Sequence, residues 1–211
     1  MADTTYYKVL FEDGSVYHGG RGKWHLPKGK CSGKWMHVDG EIIPCEKGLH
    51  LCRKQDLVHW IGPVIFVAEP KGEITTCTTK VVVADARLLR RLDTWNETTA
   101  RLFAADCAKE AVRRCRKAGI EIDPRTTECI RVVYRFARGQ ATEVELSAAW
   151  SAAWPATRSA SSSAADAAWS AAWSAADAAW SAWSAADAAV DAAARSWQTK
   201  RLFEYLDGKR S

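Results

Sequence analysis

The sequence predicts an α+β protein: a small β-rich module over residues 1–92, then an all-α, Ala- and Trp-rich helical bundle over residues 93–211. Three observations lead to this prediction. Short apolar runs separated by Gly and Pro fill the first part. Helix start and stop signals begin near residue 94, and a long tract without Gly or Pro precedes the end of the chain. A length of 211 residues suits one large domain or two small ones.

The β-rich module is predicted from apolar runs bounded by turn residues. YYKVLF, the EDGS turn and VYHGG together predict a hairpin from Tyr6 to Gly20. WMHV and EIIP flank Asp39-Gly40, a pair that favours tight hairpin turns, so a second hairpin is expected there. PVIFVAE and TTKVVVAD predict two further strands, and one short helix is expected at Arg53–Trp60.

Two helix boundaries in the second part are marked by capping residues. Thr94 and Glu97 have the spacing of a capping box, and the helix that they start is expected to end at Gly119. Asp123-Pro124 places an N-cap residue before a proline in the first turn, which predicts a second helix ending at Gly139.

A third capping signal, Thr142 with Glu145, predicts the helix that leads into the Ala-rich tract. From Ala156 to Asp207 there is neither Gly nor Pro. One straight helix over that range would exceed about 70 Å at about 1.5 Å per residue. A break is therefore expected in the Ser-rich segment 159–163.

Composition excludes several classes of protein. The chain shows no signal-peptide pattern and no run of about 18 apolar residues, so we expect a cytoplasmic protein without membrane association. Seven cysteines, an odd number, favour reduced thiols. The net charge of +5 permits an anionic partner without requiring nucleic acid. P-loop, HExxH and GxSxG motifs are absent from the sequence.

A tryptophan stripe is the most unusual feature of the Ala-rich tract. Its members fall within an arc of about 120° on a helix: Trp169, Trp173, Trp180, Trp183, Val190 and Trp197. This register predicts a packed helix seam, and an exposed stripe of this kind favours a homodimer. The second interpretation is a ligand pocket in which indoles stack on a planar ligand, with Asp187 embedded in the stripe as a polar anchor.

Arginines follow the helices before this tract. Arg131, Arg135 and Arg138 share one face of the second predicted helix, and Arg101 lies on the first. Ion pairing with carboxylates is the default expectation for such a face, and binding of an anionic ligand is the alternative.

Histidines and cysteines of the first module suggest weaker sites. Cys45, His50, Cys52 and His59 are donors that zinc accepts, but their spacing lacks a CxxC knuckle, so no metal or other cofactor is expected. The repeated Gly-Lys-Trp sequences at 22–24 and 33–35 could contact phosphates and bases.

Tyr17-His18-Gly19-Gly20 resembles the opening motif of ADP-ribosyltransferase folds. The resemblance implies that His18 would hold NAD. A late Glu, for which Glu73 is suitably placed, would then be catalytic.

Two longer resemblances indicate a setting. ARLFAADCAKEAVRRC, DPRTTECIRVVYRFARGQATEVEL and the Ala array resemble the Ala-rich helical family of immunity proteins found near toxin systems and in phages. Residues 6–84, with Cys45-Glu-Lys-Gly-Leu-His-Leu-Cys52, resemble a small phage domain of unknown function that precedes repeat arrays. Both resemblances imply a phage or prophage accessory protein.

The features together favour non-catalytic binding. The expected role is immunity or counter-defence, in which the protein sequesters a host or phage protein or a small nucleotide-like ligand. An ADP-ribosyltransferase-like enzyme that uses NAD is the first alternative. A nucleic-acid-binding module is the second.

Overall fold

The computed structural model describes residues 4–159 and 185–211. The chain is divided into two compact units, Met1–Asn96 and Glu97–Ser211. Strands occupy the first unit and helices the second, so the α+β prediction is confirmed.

The first unit is a small sheet that closes on itself. Its strands are β1 (Tyr6–Leu10), β2 (Met36–His37), β3 (Leu49–Arg53), β4 (Val64–Thr76) and β5 (Val81–Arg91). The strand order is β2-β5-β3-β1-β4, and the pairings between these strands are antiparallel. Because β4 also pairs with β5, the strands β5, β3, β1 and β4 form a closed barrel-like sheet.

Side chains from alternate strand positions fill the interior of this sheet. The buried interior cluster is Leu10, Trp24, Leu49, Leu51, Val64, Phe66, Ala68, Val81, Val83, Ala86 and Leu88. The opposite face of β1 is buried as well, since Tyr7 and Val9 are only 7% and 5% exposed. A 3₁₀ turn at Leu57–His59 stands where the short helix was predicted.

The predicted strands and hairpins have different outcomes. PVIFVAE and TTKVVVAD form two strands as predicted, and these strands are longer than the apolar runs and pair with each other as a hairpin. The hairpin around Asp39-Gly40 is wrong, because Met36 pairs with Ala86 of β5. Of the predicted Tyr6–Gly20 hairpin, one β-bridge forms, between Leu10 and Val16. The strand β1 pairs with β3 and β4 instead.

The second unit contains four described helices, α1 (Glu97–Lys117), α2 (Pro124–Ala137), α3 (Glu143–Ser159) and α4 (Ala185–Leu206). Asp123 caps α2 by accepting a hydrogen bond from the Arg125 backbone N–H at 2.8 Å. The Thr142 capping box also forms: Thr142 N–H donates to Glu145 Oε2 at 2.7 Å, and Glu145 N–H donates to Thr142 Oγ1 at 3.2 Å. α1 begins at Glu97, three residues after the predicted cap Thr94.

A buried carboxylate connects α1, α2 and α4. Asp106 of α1 is 8% exposed and accepts hydrogen bonds from the hydroxyl of Tyr134 and, at 2.9 Å, from that of Tyr205. The guanidinium groups of Arg201 and Arg210 approach it at 3.1 and 3.2 Å. Burial and the nearby carboxylate raise the pKa of Tyr205 to about 12, so both tyrosines remain protonated donors at neutral pH. The four donors offset the cost of burying the charge.

We predict that Asp106→Ala lowers the free energy of unfolding by about 3–5 kcal/mol, because it removes the acceptor that two hydroxyls and two guanidinium groups share. Urea unfolding followed by circular dichroism measures the change. Asp207→Ala is the matched control, since its carboxylate pairs only at the surface, with Lys209 at 2.9 Å, and should cost about 0.5 kcal/mol or less. Equal losses in the two variants would contradict a structural role for Asp106.

Candidate functional site

A pocket opens in the first unit where β1 and β3 separate. These strands pair only at Tyr6 with Arg53 and at Tyr7 with Cys52. Beyond Tyr7, β1 continues against β4 while β3 continues against β5. The resulting pocket has a volume of about 280 Å³. Its polar and aromatic wall residues include Lys8, His18, Arg21, Trp24, Glu46, His50, Trp60 and Lys80.

Lys8 lies on the interior face of the barrel. It pairs with Phe66 of the interior cluster, and cross-strand partners share a face. The Lys8 Nζ donates to the carbonyl oxygen of His50 at 3.0 Å and lies 5.1 Å from the centre of the Trp24 ring. Within residues 4–159 and 185–211, no carboxylate lies within ion-pair distance of this ammonium. Burial lowers the pKa of Lys8 from 10.5 to about 8.

His50 is held as a neutral imidazole beside Lys8. Its Nε2 accepts the backbone N–H of Cys45 at 3.3 Å, so the proton of the neutral ring is assigned to Nδ1. Burial, together with the positive charges of Lys80 and Lys8, lowers the pKa of His50 to about 4. Gly48 makes this turn: its φ is 142°, and a Cβ there would lie 2.4 Å from Val82.

His18 and Trp60 form the aromatic side of the pocket. The Nε2 of His18 lies 2.8 Å from the carbonyl oxygen of Trp60 and 3.2 Å from that of Ile61, so this nitrogen carries the proton. The imidazole contacts the rings of Tyr17 and Trp60 edge-on, at 4.6 and 5.3 Å between centres. Lys80 Nζ lies 5.3 Å from the centre of the Trp60 ring. The indole is fixed because its N–H donates to a backbone carbonyl at 2.7 Å.

The pocket has an excess of positive charge. Three cationic side chains, Lys8, Arg21 and Lys80, are among its wall residues, against the single carboxylate of Glu46. The described wall therefore favours an anion over a cation or a neutral ligand.

Residues of the predicted NAD-type site are brought together only in part. His18 lines the pocket, and Tyr17 packs against it. Glu73 is exposed, at a register shift of β4, and is not among the wall residues. Glu69, on the same strand, is paired with Arg87 at 2.6 Å. The carboxylate among the described wall residues is that of Glu46.

Residues of the predicted zinc site share a wall without forming a ligand cluster. Cys45, His50 and Cys52 line the pocket, and His59 does not. The Nε2 of His50 is already used by Cys45 N–H. Burial raises the pKa of the Cys52 thiol to about 12, which opposes the thiolate that zinc requires. Among the residues that the structure describes, no group of three or more His, Cys, Asp or Glu could hold a metal ion.

The residues of the two Gly-Lys-Trp sequences lie in different environments. Trp24 is only 4% exposed and belongs to the core, so it offers no open face to a base. Lys23 is paired with Asp13 at 3.0 Å. Trp35 is 39% exposed, but the guanidinium of Arg87 lies 4.6 Å from its ring centre.

The arginine face of the second unit is used locally. Its contacts are Arg101 with Glu97 and the Phe136 ring, Arg131 with Glu128, Arg135 with Glu145, and Arg138 with the Tyr134 ring. These contacts agree with the default expectation of ion pairing, within and between neighbouring helices.

The tryptophan stripe is described only at its end. Trp169, Trp173, Trp180 and Trp183 lie outside the described residues, as does the side chain of Asp187 in α4. Trp197 is half-buried, and the Arg201 guanidinium lies 5.0 Å from its ring centre.

No family model, curated protein or solved structure matches this chain. The resemblances to immunity proteins and to a phage domain therefore stay predictions. In the described part of the chain, none of the helices has the length and apolar character needed to cross a membrane.

Sequence reasoning missed Lys8, Lys80, Trp60 and Glu46. A signal existed for Lys8, since it stands at the centre of YYKVL, a strand with apolar residues on both sides. For Glu46, Trp60 and Lys80 the sequence held no signal. They join the pocket through long-range folding of the chain, which no local pattern predicts.

We predict that the stability difference between Lys8→Met and the wild type depends on pH. Between pH 8 and 10.5 the unfolded lysine keeps a proton that the folded one has released, so wild-type stability rises with pH over this range. Lys8→Met lacks this rise. Near pH 7 its free energy of unfolding should exceed that of the wild type by up to about 3 kcal/mol, the value that corresponds to the pKa difference between the unfolded and folded lysine. Urea unfolding at several pH values measures the difference.

Lys23→Met, at an exposed position, is the control for loss of a lysine and should follow the wild-type curve. Parallel curves for wild type and Lys8→Met would show that the pKa of Lys8 is the same in the folded and unfolded states.

Proposed function

We propose that the first unit binds a small anionic, nucleotide-like ligand in the pocket between β1 and β3, and holds it without chemical change. The observation that carries the proposal is the Lys8 ammonium, which lies on the interior face of a closed sheet without a carboxylate partner among the described residues. Burying an ammonium costs free energy unless an opposite charge compensates for it. A bound anion would supply that charge.

The ring part of the ligand is inferred from the aromatic side of the pocket. The Trp60 indole is held in place by its own hydrogen bond, and Lys80 lies beside it. A fixed indole next to a cation suits a ligand in which a planar ring is joined to a negatively charged group. A nucleotide combines these two properties in one small molecule.

Sequestration is favoured over catalysis by the state of the pocket side chains. The neutral His50 already accepts a hydrogen bond at Nε2, and the Cys52 thiol is protonated at neutral pH. The late Glu required by the ADP-ribosyltransferase alternative is absent from the described wall, where Glu46 is the carboxylate present. These features support a binding pocket, and they leave that enzyme hypothesis with His18 alone.

The biological setting follows from the two resemblances and is part of the proposal. A phage or prophage protein that withdraws a nucleotide-like signal from the host would act as an immunity or counter-defence protein in the cytoplasm. The second unit would then serve the same role by binding a host or phage protein, or a second copy of the chain through its tryptophan stripe.

The test is calorimetric titration of the full chain with adenosine 5′-monophosphate, NAD and a cyclic dinucleotide. At least one should bind, and Lys8→Met should weaken it about tenfold or more, as expected for loss of a charged hydrogen bond. Lys23→Met should bind like the wild type. Mass spectrometry of the recovered ligand should show it unchanged.

Two results would contradict the proposal. The pocket is not a nucleotide site if none of the three probes binds, or if Lys8→Met binds all of them as well as the wild type does. Conversion of NAD to nicotinamide, abolished by His18→Ala, would support the enzyme alternative instead.

A further inference from the structure

The charge and size of the pocket narrow the class of ligand. Lys8, Arg21 and Lys80 exceed the one carboxylate by two positive charges. A phosphate monoester carries about −1.5 to −2 at pH 7, whereas a phosphodiester carries one negative charge. The monoester therefore matches the charge of the wall more closely.

The volume favours one nucleotide over two. Pockets for drug-sized ligands span about 300–1,000 Å³, and this one has about 280 Å³. A single nucleotide is near that lower limit. A dinucleotide such as NAD, or a cyclic dinucleotide, would leave one of its halves outside.

Two hydrogen-bonding side chains, those of Lys8 and His50, belong to neighbouring residues of the pocket wall. A lysine ammonium has three N–H donors, and one of those on Lys8 is used by the His50 carbonyl. The neutral His50 ring has its Nε2 occupied and its Nδ1–H as donor. These two donors suit the oxygens of a terminal phosphate. Gly19 and Gly20, with φ of 68° and 83°, follow the exposed His18 and line the pocket with no side chain over their backbone.

We propose that the ligand is a mononucleotide whose phosphate monoester binds the Lys8 ammonium while its ring lies toward Trp60, an inference that rests on the proposed function. Lys8 is on the interior face of the barrel, whereas His18, beside Trp60, is exposed. The phosphate therefore enters first and the ring closes the mouth.

The experiment compares three probes that share one ring: adenosine 5′-monophosphate, 3′,5′-cyclic AMP and adenosine. Calorimetry of the full chain at pH 7 should show binding of the monophosphate, at least about tenfold weaker binding of the cyclic diester, and weaker binding still of the nucleoside. Lys8→Met should remove the preference for the monophosphate. Circular dichroism verifies that the variant is folded, and Lys23→Met is the matched control.

Affinity for the monophosphate should also pass through a maximum with pH. Protonation of the monoester below about pH 6 and loss of the Lys8 proton above about pH 8 both weaken the contact. The charged group that acts on Lys8 from a neighbouring segment is Lys80, which opposes its charge, while the Cys52 thiol beside it stays protonated and neutral over this pH range. The other titratable wall residues are His18, Arg21, Cys45, Glu46 and His50.

The outcomes separate this inference from the proposed function. If cyclic AMP or adenosine binds as tightly as the monophosphate, the inference that the ligand carries a phosphate monoester is wrong. NAD or a cyclic dinucleotide bound more tightly, and in a Lys8-dependent way, would overturn the mononucleotide and leave the proposed function standing. If no nucleotide binds at any pH between 6 and 8, both are wrong.

Discussion

The pairing of β4 with β5 is the constraint on which the first unit depends. The two strands are paired from Phe66 opposite Arg91 to Thr76 opposite Val81, with two register shifts between these ends. This length allows β4 to hold β1 at one end while β5 holds β3 at the other. The sheet closes as a result, and β1 and β3 are drawn apart beyond their two shared residue pairs. The pocket is thus a consequence of closure rather than a separate loop structure.

The two units treat a buried charge in opposite ways. Asp106 is surrounded by two hydroxyls and two guanidinium groups, and its hydrogen-bonding capacity is used within the unit. Lys8 has one carbonyl and one indole face. A satisfied buried charge stabilises a fold, whereas an unsatisfied one is retained at a cost and is typical of a site that waits for a ligand. This contrast is why the candidate site is placed at Lys8 and not at Asp106.

Local chemistry was readable from the sequence, and long-range pairing was not. Thr142 and Glu145 are three residues apart, so their reciprocal hydrogen bonds follow from spacing alone. Met36 pairs with Ala86, fifty positions away, and the Asp39-Gly40 turn beside it gave no sign of this. Met36 packs against the interior cluster of the closed sheet when β2 pairs with β5, and that gain depends on the whole barrel.

The same limit applies to the site. Lys8 shares a strand face with Tyr6 and Leu10, but Tyr7 and Val9 on the other face are apolar too, so either face could be the interior one. Only the pairing with Phe66 decides that the ammonium faces the interior. His18 was singled out from a local motif and His50 from its neighbours, as members of two separate sites. That both line one pocket depends on the distance between chain segments, which no spacing rule supplies.

Closure has one more consequence, for behaviour at high concentration. A sheet with open sides presents unpaired N–H and C=O groups that can recruit another chain and start aggregation. In the described part of the first unit, the strand at the end of the order is β2, and it has two residues. The unpaired outer edge of β2 is too short to start a continuous sheet with another chain. The closure that shapes the pocket thereby also limits the length of free strand edge that another copy of the protein could pair with.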